Sequence, residues 1–212
     1  MIYIFNTALK TALNTYIFFI ACTIQALTAV GQNLDINTLR SINRNESVAM
    51  NYYTNVMANS VTPMSIGLPL AIYGYHAIKN KKYIHQKSFV IGASLITAAG
   101  ISTTLKYTIN RTRPFITYPD LVKRSTGGSP SFPSGHTSSA FSLATSVAIQ
   151  YPKWYVVVPS CIWAGSVAYS RMYQGVHYPS DVLAGAVIGS GSAVLCYYLN
   201  KKLFNHSKKI KS

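Results

Sequence analysis

The sequence predicts an all-α fold, an integral membrane bundle of five to six transmembrane helices. Three observations predict it. Hydrophobic residues fill 49% of the 212 positions and charged residues 11%, against about 25% charged in an average soluble domain. Five apolar stretches succeed one another after residue 59, over 60–78, 88–105, 137–151, 154–169 and 182–199. Each is at or slightly below the ~17 to 25 helical residues that cross a bilayer, and a chain this small cannot bury them all in water. All six arginines, finally, fall on one side of these stretches and most lysines on the other, as positive-inside topology requires of lysine.

The elements follow in order. Within residues 1–31, Thr15 to Gly31 is apolar, follows Lys10 and ends in Ala29-Val30-Gly31. That pattern fits a cleaved signal peptide with a small-residue cleavage site, and equally a first transmembrane helix; both put residue 32 outside the cytoplasm. Residues 32–59 read as a polar extracytoplasmic segment, 60–200 as one catalytic membrane domain, and 201–212 as a basic cytoplasmic tail. Lipid offers backbone groups no hydrogen-bond partners, so the apolar stretches should be helices, with Pro63, Pro69 and Pro159 as local kinks. Cys22, Cys161 and Cys196 lie in apolar sequence without metal-ligand spacing and read as packing residues.

Alternating the spans puts Lys79, Lys81, Lys82 and Lys87 in one cytoplasmic loop, Lys153 in the next, and Lys201, Lys202, Lys208, Lys209 and Lys211 on the tail. The opposite face receives residues 106–136 and 170–181 with all six arginines, Arg40, Arg44, Arg111, Arg113, Arg124 and Arg171. The formal charge is +15 with only four acids, Asp35, Glu46, Asp120 and Asp181, so the partner is anionic. Arginine's planar fork holds phosphate oxygens in pairs where lysine is a point charge. The arginine face is therefore the one to search for chemistry.

Three stretches there abut the ends of apolar spans: Lys106 to Pro114 (KYTINRTRP), Pro133 to His136 (PSGH), and Ser170 to Asp181 (SRMYQGVHYPSD). Taken singly, each has a bland reading as an interfacial anchor or a helix cap. Together they supply what phosphoryl transfer needs: cations around the transferred group, an in-line nucleophile and an acid for the leaving oxygen. Lys106, Arg113 and Arg171 carry the charge. Ser134 can cap the helix that starts near His136, turning the N–H groups of Gly135 and His136 toward an anion. A nucleophilic histidine needs one free ring nitrogen and an acceptor on the other. Asp181, four residues after His177, is the acceptor at hand, which leaves His136 as the general acid. His76, His85 and His206 fall on the cytoplasmic side and are assigned no role.

A lysine six residues before Arg-Pro, then Pro-Ser-Gly-His, then Ser-Arg with five residues before His and three more before Asp resembles the type 2 phosphatidic acid phosphatase superfamily without departure. The likeness covers residues 60–200, and in its membrane branch it implies a helical bundle with the active site at the extracytoplasmic membrane surface. The resemblance implies that His177 forms a phosphohistidine, Asp181 supports it and His136 is the acid. By the same resemblance, Lys106, Arg113, Ser134, Gly135, Ser170 and Arg171 are phosphate ligands, with no metal and no cofactor. The substrates it implies are lipid A, undecaprenyl diphosphate or phosphatidylglycerol phosphate, in the inner (cytoplasmic) membrane of a cell envelope, the site facing the periplasm or exterior.

Soluble acid phosphatases and vanadium haloperoxidases share these motifs, but neither needs five near-spanning apolar runs. A non-catalytic membrane protein binding an anionic phospholipid or polyphosphate would account for the basic face, though not for the histidine–acid pair. A transporter would want paired broken helices, and nucleic acid is not an expected partner. Arg40, Arg44, Arg111, Lys123 and Arg124 add positive charge around the motifs, which suits a headgroup with more than one phosphate. Phe115 to Phe132, with Gly127-Gly128 near its middle, is the expected headgroup selector. Gly185 and Gly189, one turn apart, predict a close helix approach.

Overall fold

A computed structural model of the chain describes residues 33–78 and 85–210. Contacts divide the chain into two compact units, Met1–Thr38 and Leu39–Ser212. Of the first, residues 33–38 are described and are helical; the Thr15 to Gly31 segment lies outside the described residues. The second unit carries the rest of the first described helix, α1 (33–43), then α2 (Val48–Ile78), α3 (His85–Ile109), the short α4 (Pro114–Thr117), α5 (Gly135–Gln150), α6 (Trp154–Tyr173) and α7 (Pro179–Ile210). No strand occurs among the described residues.

Each of the five apolar stretches is a helix. Two extend beyond the apolar sequence: α2 begins at Val48 and α7 runs on to Ile210. Residues 48–59 carry Asn51, Tyr52, Tyr53, Thr54 and Asn55, too polar to read as part of a span, yet they continue the helix and meet partners on α6 and at its C-cap, Gln174. Tyr53 donates to Ser166 Oγ at 2.7 Å, while the Thr54 carbonyl and Asn55 Oδ1 accept from Gln174 Nε2 at 3.3 and 3.0 Å.

Helices α2 (Val48–Ile78), Gln86–Thr117 and Pro179–Leu203 are long and apolar enough to cross a membrane. The helices α5 and α6 are shorter. α5 packs against α7, α6, α3 and α2, and a helix enclosed by protein need not be greasy on every side. It carries Ser138, Ser142 and Ser146 buried. Ser102 donates to Ser138 at 2.9 Å, Ser94 and Ser146 share a hydrogen at 2.5 Å, and Thr145 donates to Ser190 at 3.1 Å. Such interhelical bonds contribute about 0.6 to 2 kcal/mol each in lipid.

Two apolar clusters flank α5. Val61, Ala140, Ala144, Ala164 and Val167 join it to α2 and α6, and Ile91, Leu143 and Val147 join it to α3. Large apolar side chains point outward on the long helices, with Ile96 76% and Val187 65% exposed, a face that lipid rather than water would cover.

The α5–α7 contact is the close approach that Gly185 and Gly189 predict. A Cβ on Gly185 would stand 2.7 Å from the Ser134 carbonyl oxygen, and one on Gly189 would collide with the Ser138 carbonyl oxygen and come within 2.8 Å of Ser142 N. Gly191 faces open space.

Candidate active site

The C-terminal ends of α3 and α6 meet the N-terminal ends of α5 and α7, and the sequence delivers its polar residues to those ends. Lys106 is in the last turn of α3, Arg113 is the N-cap of α4, Gly135 and His136 open α5, Arg171 is in the last turn of α6, and Asp181 is in the first turn of α7. His177 sits in the connection between α6 and α7. Lys106, Arg113, Gly135, His136, Arg171 and His177 line one cavity of about 250 Å³, whose remaining wall is Thr126 to Ser129.

Each cation is held by neutral acceptors, which fix its position without cancelling its charge. Lys106 Nζ donates to the carbonyls of Pro130 and Pro133 at 2.7 and 3.0 Å. Arg113 donates from Nε to the Ser129 carbonyl at 2.7 Å and from Nη1 to the Val176 carbonyl at 2.9 Å. Gly127 lies against that guanidinium, so close that a Cβ there would be 2.9 Å from Cζ. Arg171 donates from Nη1 to Gln174 Oε1 at 2.6 Å, and its buried Nε has no partner. A buried donor without an acceptor is costly, and an anion in the cavity would supply one.

His177 is 2% exposed. Its Nδ1 stands 3.5 Å from Asp181 Oδ2, and its Nε2 stands 3.5 Å from Arg113 Nη1. The ring thus bridges from the carboxylate to the cationic cavity, as the sequence spacing predicts. Burial above all, with Arg113 and Arg171 adding to it and Asp181 opposing, pushes the His177 pKa down to about 4. The imidazole is therefore neutral near pH 7, the state a nucleophile requires. Asp181 is wholly buried. Its Oδ1 accepts from Arg111 Nη1 at 2.6 Å, and its Oδ2 accepts from the Ser131 hydroxyl and from the Tyr178 N–H at 3.0 Å. The last bond is the reach from N3 back to the N-cap that starts many helices.

Besides Asp181, two sequence-predicted residues are near the cavity but not in its wall. Ser134 is the N-cap of α5, yet its hydroxyl makes no capping bond; it accepts from Thr137 Oγ1 at 2.9 Å. Ser170 donates to the Val167 carbonyl at 2.7 Å, one turn back in α6. Four residues that sequence spacing did not single out hold the site: Ser131 and Arg111 on Asp181, Gln174 on Arg171, and Gly127 on Arg113. Of these, the sequence drew attention to Arg111 only as added positive charge and to Gly127 only as part of the Phe115 to Phe132 segment.

Three of the additional arginines have partners within the chain. Arg40 pairs with Asp120 at 2.8 Å, and Arg111 pairs with Asp181. Arg124 donates to the carbonyls of Asn43 and Tyr173 at 2.9 and 3.0 Å. Asn43 also binds the backbone of Val122 in both directions, at 2.9 and 2.8 Å, so the segment leading to Thr126 is pinned from α1 and α6. Gly175 lies where that pinning is tightest, at φ +71° with a would-be Cβ 2.7 Å from the Val122 carbonyl, a place only glycine fills without strain. Asp120 and Asp181 thus pair with two of the five additional cations. Among the described residues, no three His, Cys, Asp or Glu side chains are grouped to hold a metal ion.

The chain is similar to known proteins in sequence and in fold. The sequence model of the PAP2 superfamily matches residues 87–205. A lipid A 4'-phosphatase of Bacteroides thetaiotaomicron is 36% identical over 83 residues, covering 39% of this chain and 37% of that protein. An undecaprenyl-diphosphatase of Sulfolobus acidocaldarius is 34% identical over 112 residues, 50% of this chain and 54% of its own length. The chain therefore spans about half or less of these relatives. The crystal structure of Aquifex aeolicus LpxE superposes with a TM-score of 0.70 at 23% identity, covering 78% of this chain and 95% of that one, a likeness of fold.

Proposed function

The chain belongs to the PAP2 superfamily, and from that premise we propose that it is a membrane phosphatase that removes phosphate from a lipid-linked phosphomonoester or diphosphate through a phosphohistidine at His177, without a metal. The observation that carries this reading is the His177 ring, with Nδ1 toward Asp181 and Nε2 toward a cavity walled by Lys106, Arg113 and Arg171.

A phosphate in the cavity would take its donors from those three cations and from the N–H groups that open α5. Nε2 of His177 attacks phosphorus, the bond to the leaving oxygen breaks, and His136 gives that oxygen its proton. The substrate's own negative charge, arriving among three cations, is what lets His136 hold a proton to give. Asp181 accepts from Nδ1 and stabilises the positive ring. Water, deprotonated by His136, then attacks the phosphohistidine and releases inorganic phosphate. The cations supply the charge that a metal supplies elsewhere.

The lysine distribution supports a site on the extracytoplasmic side of the cytoplasmic membrane, with five crossings, or six if residues 15–31 are retained as a helix. The substrate classes are lipid A, undecaprenyl diphosphate and phosphatidylglycerol phosphate; the relatives named above favour the first two.

The test is phosphate release by detergent-purified protein, in EDTA, from those three lipids, with His177→Ala alongside. Release from one lipid in EDTA, abolished by the substitution, is expected. Release that requires added divalent metal, or that survives the substitution, would overturn the histidine mechanism.

A further inference from the structure

We propose that Arg111 is a positioning residue for the His177 reaction, fixing both oxygens of the Asp181 carboxylate so that Oδ2 is presented to Nδ1 of the histidine. The proposal rests on the function proposed above and adds to it a residue that lies outside the cavity wall.

Arg111 reaches the carboxylate twice. Its Nη1 donates directly to Asp181 Oδ1 at 2.6 Å. Its own carbonyl accepts the Ser131 N–H at 2.7 Å, and the Ser131 hydroxyl donates to Asp181 Oδ2. The side chain thus holds Oδ1 directly, while the main chain of the same residue, kept in every substitution, holds Ser131 on Oδ2. The contact that remains, 3.5 Å from Oδ2 to His177 Nδ1, is the one catalysis uses, and its length depends on where the other bonds hold the oxygens.

The guanidinium is itself fixed. It lies over the Tyr178 ring with Cζ 3.8 Å from the centroid, and Nη1 also donates to Ser180 Oγ at 2.7 Å. Tyr178 meets Tyr118 edge to face, and Arg40 lies over Tyr118 at 5.2 Å while bound to Asp120. A flat, stacked donor is what this geometry takes; an ammonium would keep the charge and lose the plane. Because Arg111 does not line the cavity, it acts on the substrate only through Asp181 and His177.

The charged and titratable groups facing His177 are Asp181, Arg113 and Arg171, with His136 and Lys106 across the cavity. Removing Arg111 takes a positive charge from the aspartate, so the histidine holds its proton to higher pH. Asp181→Asn takes away the negative charge and moves it the other way.

Arg111→Ala, Arg111→Lys and Asp181→Asn are compared with the unsubstituted protein in two measurements. One is the pH profile of kcat and KM on the lipid that the protein cleaves, and the other is ring-¹⁵N NMR of His177 in detergent, which needs no turnover. Arg111→Ala should lower kcat about hundredfold, the effect of a small misplacement, with KM unchanged and the acid limb moved up. Asp181→Asn should move that limb down, and Arg111→Lys should recover part of kcat. The ring should carry its proton on Nδ1 in the parent and on a mixture of nitrogens in Arg111→Ala. A raised KM with kcat intact would make Arg111 a substrate ligand instead. An unchanged tautomer and pH profile, with activity lost only in proportion to folded protein, would reduce it to a structural residue. Activity that survives His177→Ala would sink the proposed function, while the tautomer would still report whether Arg111 orders the pair.

Discussion

At the scale of single residues, the site is a neutral imidazole set between a buried carboxylate and fixed cations. His177→Ala should lower turnover by about 10⁴-fold or more and Asp181→Asn by about 10⁴-fold, the magnitudes seen when a nucleophile or its orienting acid is lost. Steady-state assays of the purified variants read both. Because the His177 pKa is pushed down to about 4 by burial, the reactive neutral form persists above that pH and is lost as pH falls through it. The acid limb of kcat/KM should therefore lie well below the ordinary histidine value of about 6.5. A limb near 6.5 would mean that the ring is more solvated than its surroundings imply. Gly127→Ala should displace the Arg113 guanidinium, 2.9 Å from the added carbon, and raise KM about tenfold. The motif residues were legible because chain spacing alone places them at helix ends. Arg111, Ser131, Gln174 and Gly127 were not, because their roles depend on which remote atom each meets after the helices pack. For the same reason the carboxylate partners of Arg40 and Arg111 among the five extra cations could not be read from the sequence.

At the scale of elements, the α5–α7 seam governs the site. The Ser134 N–H donates to the Asp181 carbonyl at 3.0 Å, so the start of one helix is tied to the start of the other. Gly189→Ala should push the helices apart at Ser138 and Ser142, destabilise the protein by about 1 to 3 kcal/mol and lower activity with it. Gly191→Ala, facing open space, should do neither; thermal unfolding in detergent, followed with activity, separates them. Helix existence was legible here because long apolar runs admit little else in lipid. The start of α2 was not, since Asn51 to Asn55 look like loop until Ser166 and Gln174 are seen to receive them.

At the scale of the whole molecule, the proposed topology puts most lysines on the cytoplasmic side of the membrane and the candidate site on the other. In a cysteine-free background, a cysteine at Lys123 should react with an impermeant maleimide added outside intact cells, and one at Lys153 only after the membrane is opened. The reverse pattern would turn the protein over and remove the extracytoplasmic assignment. The central claim, a covalent phosphate on His177, is tested most directly by rapid acid-free quenching during turnover of ³²P-labelled lipid, with the label then mapped. The account predicts an acid-labile, base-stable label on His177 that is absent from His177→Ala and accumulates in His136→Ala, where its hydrolysis is slowed. Full turnover by the parent protein with no label on any histidine, and with inversion of configuration at phosphorus, would contradict it.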